Sequence, residues 1–310
     1  MIPIVESLLS VFATILLGYV LRLYLLPDRV VWTGLERLAF FVLLPALLVH
    51  SLATSEIAPG SAWRLVAGVV GAILLTSLAA FPLRRALNLS GPVFASVFQG
   101  ATRMNSYVIL GVSGTLIGSS GVALASLALA SMAVVVNVLA VLVLTRYGSS
   151  TAGAAQPASL ARSLAGNPLI LACILGVLWN LSGAPMPALL GAPLSFVGSA
   201  AVGVALLSVG AALEPRRLLT EVRIAAATCG LKLVVQPAFL LALAVPLALD
   251  PEARLVGVIC AAAPISTSAY IMSAQLGGDA DLMARLIALS TLAAMASMLP
   301  LLYLASGLGG

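Results

Sequence analysis

The sequence predicts an all-α membrane protein of ten transmembrane helices in two inverted five-helix repeats, with the fourth and ninth helices broken. Three observations predict it. Of the 310 residues 62% are hydrophobic and only 8% charged, with a mean hydropathy of +1.17. A soluble domain carries about 25% charged residues because its surface must be wetted, so most of this surface faces lipid. Apolar runs of about 20 residues, enough to cross a hydrocarbon layer about 30 Å thick, recur along the chain in place of the short alternating strands of a membrane barrel. A Gly, Ser and Ala-rich connection at mid-chain then separates five runs from five, and an odd number per half forces the halves into opposite orientations. A water-soluble enzyme, a disordered scaffold and a secreted disulfide protein are excluded.

The predicted spans cover roughly 4–26, 35–54, 62–87, 92–118 and 121–146, then 167–183, 190–213, 222–249, 253–277 and 281–305. The first run lacks a basic leader and is too long for a signal peptide. Turn chemistry falls between the runs at Pro27-Asp28, Pro59-Gly60, Gly91-Pro92, Pro215 and Asp250-Pro251. Three prolines in Leu181–Pro193 blur the boundary between the sixth and seventh spans. Tyr147–Ala165 reads as a flexible linker. Cys173, Cys229 and Cys260 each sit in an apolar run and read as core thiols, with no metal-binding spacing and no expected cofactor.

Basic residues set the orientation. The odd-numbered connections and their flanks hold Arg22, Arg29, Arg37, Arg84, Arg85, Arg146, Arg162, Arg216, Arg217, Arg223 and Arg285, whereas the even ones hold Arg64 and Arg254. The odd connections are therefore expected in the cytoplasm and both termini outside. The net charge of +5 comes from scattered arginines with no basic stretch, so no nucleic-acid partner is expected.

The fourth span of each half carries the polar residues. The first reads VFASVFQGATRMNSYVILGVSGTLIG, with Gln99, Thr102, Arg103, Asn105, Ser106 and Tyr107 near its middle. The second reads LVGVICAAAPISTSAYIMSAQLGG, with Pro264, Ser266, Thr267, Ser268 and Tyr270. Superposing Gly118 on Gly277 lays Asn105 on Pro264. Helix breaks at mid-membrane expose backbone groups that cost several kcal/mol each unless satisfied, and persist where they line a cavity. Half-helix N-termini there offer N–H groups and a positive dipole end to an anion. Arg103 and Lys232 lie deep in their spans with no Asp or Glu at similar depth, at a cost of about 2.5–3.5 kcal/mol each. Two readings stay open: an anion visits the pair, or Arg103 caps carbonyls at the broken helix and Lys232 does likewise or snorkels. Gln236, one turn from Lys232, shares its face. Asn137 either lines the same cavity or makes a helix–helix hydrogen bond. His50, toward an outer span end, reads as an ordinary hydrogen-bonded residue or a proton relay.

In order and spacing, LGYVLR ending at Arg22, LERLAFFVLLPALL around Pro45, FQGATRMNSYVILG around Asn105, GNPLILACILG at Gly166–Gly176, LLSVGAAL ending at Leu213, KLVVQP at Lys232–Pro237 and AAAPISTSAYIMSAQLGGDA around Pro264 resemble the auxin efflux carrier family across the whole chain. The resemblance implies a fold related to the bile acid:sodium symporters, with the fourth and ninth helices crossing at the substrate site. It implies scaffold helices within 1–60 and 166–213, a mobile transport unit from 61–146 and 214–310, a linker at 147–165, and a homodimer through helices one, two, six and seven. It also implies an elevator-like mechanism, with Asn105 contacting a substrate carboxylate at the bacterial inner membrane. Plant members carry proline before the crossover asparagine, and Met104 here predicts a less sharply broken fourth helix.

The expected function is a secondary carrier of a small organic carboxylate, its site drawn from Asn105, Arg103, Ser106, Pro264, Ser266, Thr267, Asn137, Lys232 and Gln236. A sodium-coupled symporter is the alternative, weakened because the ninth span offers oxygens but no acid. A membrane receptor would bring a signalling domain, and the longest connection has only about 19 residues. No catalytic metal, aspartate-pair or nucleophile-elbow motif is present, so no enzyme is expected.

Overall fold

A computed structural model of the chain describes residues 2–55, 59–149, 166–213 and 221–307. Residues 150–165 of the expected linker lie outside that description. Among the described residues every regular element is helical. The first group is α1 (Ile2–Tyr24), α2 (Arg29–Thr54), α3 (Pro59–Ala86), α4 (Gly91–Thr102), α5 (Ser106–Leu116) and α6 (Ser119–Tyr147). The second is α7 (Pro168–Leu181), α8 (Ala188–Ala211), α9 (Val222–Ala244), α10 (Pro251–Ala262), α11 (Ser268–Gln275) and α12 (Ala280–Gly307). Seven of these, α1, α2, α3, α6, α8, α9 and α12, are long and apolar enough to cross a membrane. The shorter α7 is also apolar. The stretches expected as spans four and nine are each two short helices with a break between them.

Local chemistry explains the boundaries. Where the apolar run suggests a start near 35, α2 begins at Arg29 because Asp28 caps it, its carboxylate accepting from the Val30 N–H at 2.9 Å. At the other extreme, α9 stops at Ala244, short of the predicted 249, in a turn with Ala248 at φ 48°. Both α2 and α9 contain a widened π turn, at Ala39–Leu43 and Leu231–Val235, and each is followed at once by a proline pair, Leu44-Pro45 and Gln236-Pro237. A proline inside a helix lacks an N–H and pushes its ring against the carbonyl one turn back; the extra residue of a π turn relieves that clash.

Two tight seams join the chain halves. The helix α1 runs along the C-terminal part of α8, and α7 along the C-terminal part of α2. Glycine makes the first approach possible: a Cβ on Gly18 would lie 2.0 Å from the Leu207 carbonyl oxygen, and one on Gly210 would lie 1.7 Å from that of Ile15. The Arg22 guanidinium donates to the Ala211 carbonyl at the same seam. The helices α3, α6, α9 and α12 surround α4 and α10, so that residues 94–102 of α4 and 256–262 of α10 are all buried. Large apolar side chains such as Leu17, Leu175, Leu178 and Phe196 point outward, as a lipid-facing surface requires.

Replacing Gly210 by alanine is expected to destabilise the protein by about 1–3 kcal/mol through forced separation of α1 and α8. Thermal unfolding in detergent checks this against Gly203→Ala, where an added Cβ meets nothing within 4 Å.

Candidate functional site

The site begins with the two breaks. In the second half, α10 ends at Ala262 and Ala263 is extended (φ −61°, ψ 143°), as the residue before a proline must be. Pro264 has no N–H to give. The next N–H, that of Ile265, turns aside to the Ser290 hydroxyl of α12 at 3.1 Å. In the first half, α4 ends at Thr102 and Arg103 is extended (φ −80°, ψ 144°). Asn105 then opens α5: its side-chain oxygen accepts from the N–H groups of Tyr107 (3.0 Å) and Val108 (3.3 Å). The weaker break predicted from Met104 is therefore corrected: the helix is fully interrupted without a proline, because Asn105 caps the new start.

The breaks meet. The Asn105 N–H donates to the Pro264 carbonyl at 2.8 Å, joining the two positions that superposition of the halves had matched. Around this link Arg103 is buried and spans three elements. Its Nη1 donates to the Ser268 hydroxyl (3.0 Å), and its Nη2 donates to the Asn137 side-chain oxygen (2.5 Å) and to the Met272 sulfur (2.9 Å). Asn137 of α6 thus joins the site as an acceptor. Ser266 pairs with Ser268 at 2.9 Å, and Ser106 opens α5 half-buried.

Lys232 and Gln236 form a separate cluster. The Lys232 ammonium donates to the Gln236 side-chain oxygen (2.5 Å) and the Ala261 carbonyl (3.1 Å), and shares no partner with Arg103. Three buried polar atoms near the breaks have no hydrogen-bond partner: Asn105 Nδ2, Arg103 Nε and Gln99 Oε1. Among the described residues no three His, Cys, Asp or Glu side chains group as a metal site.

A cavity of about 360 Å³ reaches one side of the break, lined by Arg22, Trp32, Glu36, Ser208, Thr267, Tyr270 and Asp281 among others. The Thr267 hydroxyl donates to Glu36 at 3.4 Å. Asn105 and Pro264 do not line the cavity, and Asn105 is only 2% exposed. The open space thus stops at Thr267, one layer short of the Asn105–Pro264 link.

The family model described as membrane transport protein matches residues 3–302. The chain belongs to this family, the auxin efflux carriers. An uncharacterized transporter of Methanothermobacter thermautotrophicus is 26% identical over 296 residues, covering 94% of this chain and 95% of its own. The family is one of membrane transporters and not of enzymes. Helices of the length and apolarity described make this member a multi-pass membrane protein.

Two features of the carrier's site were not singled out from its sequence. Glu36 reads there as a charge at a span end, whereas it lies within α2 and faces the ninth-span break through Thr267. Its signal is the spacing of Trp32, Thr33 and Glu36, which puts all three on one helix face. The other is Ser273, which accepts from Gln99 Nε2 at 2.9 Å and lies 3.4 Å from the Ser96 hydroxyl, tying α11 to α4.

Asn105→Ala removes the cap of α5 and is expected to cost about 1 kcal/mol. Asn105→Asp keeps the accepting oxygen and is expected to unfold close to wild type; paired thermal melts distinguish the two.

Proposed function

We propose that this protein is a secondary carrier for a small organic carboxylate, with its site where the two breaks meet. One observation carries the proposal. Buried donors with no partner, Asn105 Nδ2 and Arg103 Nε, sit at that junction beside an arginine whose acceptors are all uncharged. An unpartnered buried donor costs about 1–3 kcal/mol, and a visiting carboxylate would remove that cost while neutralising the guanidinium. Thr267 adds a hydroxyl on the cavity side, Ser266 pairs with Ser268 next to the break, and Ser106 stands at the start of α5.

In this carrier α4 with α5, and α10 with α11, each make one interrupted span, giving ten spans in two inverted halves. The odd connections face the cytoplasm, so the cavity is a vestibule open to the inside, and both termini lie outside. The helices α1, α2, α7 and α8 serve as a scaffold, with α3–α6 and α9–α12 as the moving unit. The wall composition of the cavity supports this division. Arg22, Trp32, Glu36 and Ser208 come from the first group, and Thr267, Tyr270 and Asp281 from the second. An elevator-like displacement of one group against the other carries the junction from one face to the other. The exposed apolar faces of α7 and α8, with Leu171, Leu178 and Phe196, suit a homodimer contact in the bilayer.

The test is binding and uptake of a panel of mono- and dicarboxylates. A bound substrate raises the unfolding midpoint with concentration as RT ln(1 + [L]/Kd). Asn105→Asp, which keeps the helix cap but sets a negative oxygen where Nδ2 stood, is expected to lower carboxylate affinity about tenfold or more, since each 1.4 kcal/mol is a factor of ten. Unchanged affinity in this variant removes Asn105 from the site.

A further inference from the structure

Lys232 is 0% exposed, and among the described residues no other charged side chain is buried so completely. The reason for its position lies in the backbone it touches. In an unbroken helix the Ala261 carbonyl would accept from the Ile265 N–H four residues on. Pro264 interrupts the helix between them, and the Ile265 N–H goes to Ser290 instead. The Ala261 carbonyl is left facing away from its own helix, and Lys232 Nζ donates to it at 3.1 Å. The second acceptor is the Gln236 side-chain oxygen at 2.5 Å, presented across the π turn of α9. Both acceptors are neutral oxygens. The site thus seats the lysine Nζ on two neutral oxygens at the negative end of the half-helix α10.

Released carbonyls and half-helix C-termini are the positions at which carriers with broken helices bind a coupling cation from solution. Here that position is filled by an ammonium covalently attached to the protein. We propose that Lys232 is the resident cation of this carrier: it supplies at the broken ninth span the positive charge that would otherwise be recruited as a sodium ion, so that carboxylate binding at the junction does not require sodium. The inference rests on the carrier reading above and adds to it the source of the compensating charge. The lysine acts as a positioning residue. It holds the carbonyl end of α10 in place, behind the Pro264 carbonyl that receives the Asn105 N–H, and its charge travels with the junction.

Two measurements test it. In the first, the full chain in proteoliposomes is assayed for uptake of radiolabelled acetate, malonate and malate in sodium chloride and in choline chloride. Equal uptake in the two salts is expected, and uptake that requires sodium overturns the proposal. Lys232→Met, which keeps the apolar stem, is expected to lose about tenfold or more of that uptake, the scale of a lost charge-assisted contact; wild-type uptake by this variant also overturns it. Uptake of none of the three acids in either salt counts against the carrier reading, and the second measurement then decides on the lysine by itself. Thermal unfolding of detergent-purified Lys232→Ala is followed with added propylammonium, which replaces the deleted atoms, and with 1-propanol, which replaces their volume without the charge. A midpoint raised by propylammonium and not by propanol is expected, with wild type indifferent to both. Equal effects of the two compounds, or no effect of either, overturn the resident-cation assignment.

Discussion

The hydrogen bond from the Asn105 N–H to the Pro264 carbonyl is the interaction on which the centre of this molecule depends. Hydrocarbon offers no water to a freed backbone group, so a helix can be broken at that depth only where protein satisfies what the break releases. Here one hydrogen bond joins the two breaks, and side chains take several of the other freed groups. Asn105 caps α5, Ser290 receives the Ile265 N–H, and Lys232 takes the Ala261 carbonyl. Neither break could be kept alone without leaving such groups unpaired. That mutual requirement explains why α4 and α10, which lead into the breaks, are buried among α3, α6, α9 and α12 rather than placed against lipid.

The same economy governs charge. Arg103 and Lys232 are held by uncharged oxygens and a sulfur, never by a carboxylate. A buried charge without a counter-ion is expensive, yet each is stabilised by several aligned dipoles, which leaves its sign available to a ligand. Arg103 stands beside unpartnered donors at the junction, while Lys232 is buttoned to the end of α10. The two cations therefore have different surroundings: Arg103 lies at the junction among side chains of α6 and α11, and Lys232 is hydrogen-bonded to the end of α10.

Much of this was readable from residue order. The polar clusters in two otherwise apolar runs located both breaks, because backbone groups freed at such depth need polar partners within the protein. The spacing of Lys232 and Gln236 announced a pair on one helix face, and they are hydrogen-bonded. What remained hidden depends on partners distant in the chain. Nothing near residue 261 says that its carbonyl will receive a lysine from α9, and nothing near Glu36 says that Thr267 will face it. Met104 misled for a related reason: proline is one way to break a helix, but an asparagine that caps the following turn serves as well, and that role appears only once the backbone is seen to leave the helix at Arg103.

In a carrier of the kind proposed, the junction of the two breaks opens to each side of the membrane in turn. Thr267 lines the cavity on one side of that junction, and the native thiols Cys173, Cys229 and Cys260 are buried. A single cysteine at 267 in a chain otherwise free of them, probed with a membrane-impermeant thiol reagent added to intact cells and to inside-out vesicles, measures access directly. Labelling from both sides, slowed by a bound carboxylate, is expected. Labelling from one side alone, whatever acid is present, would contradict it.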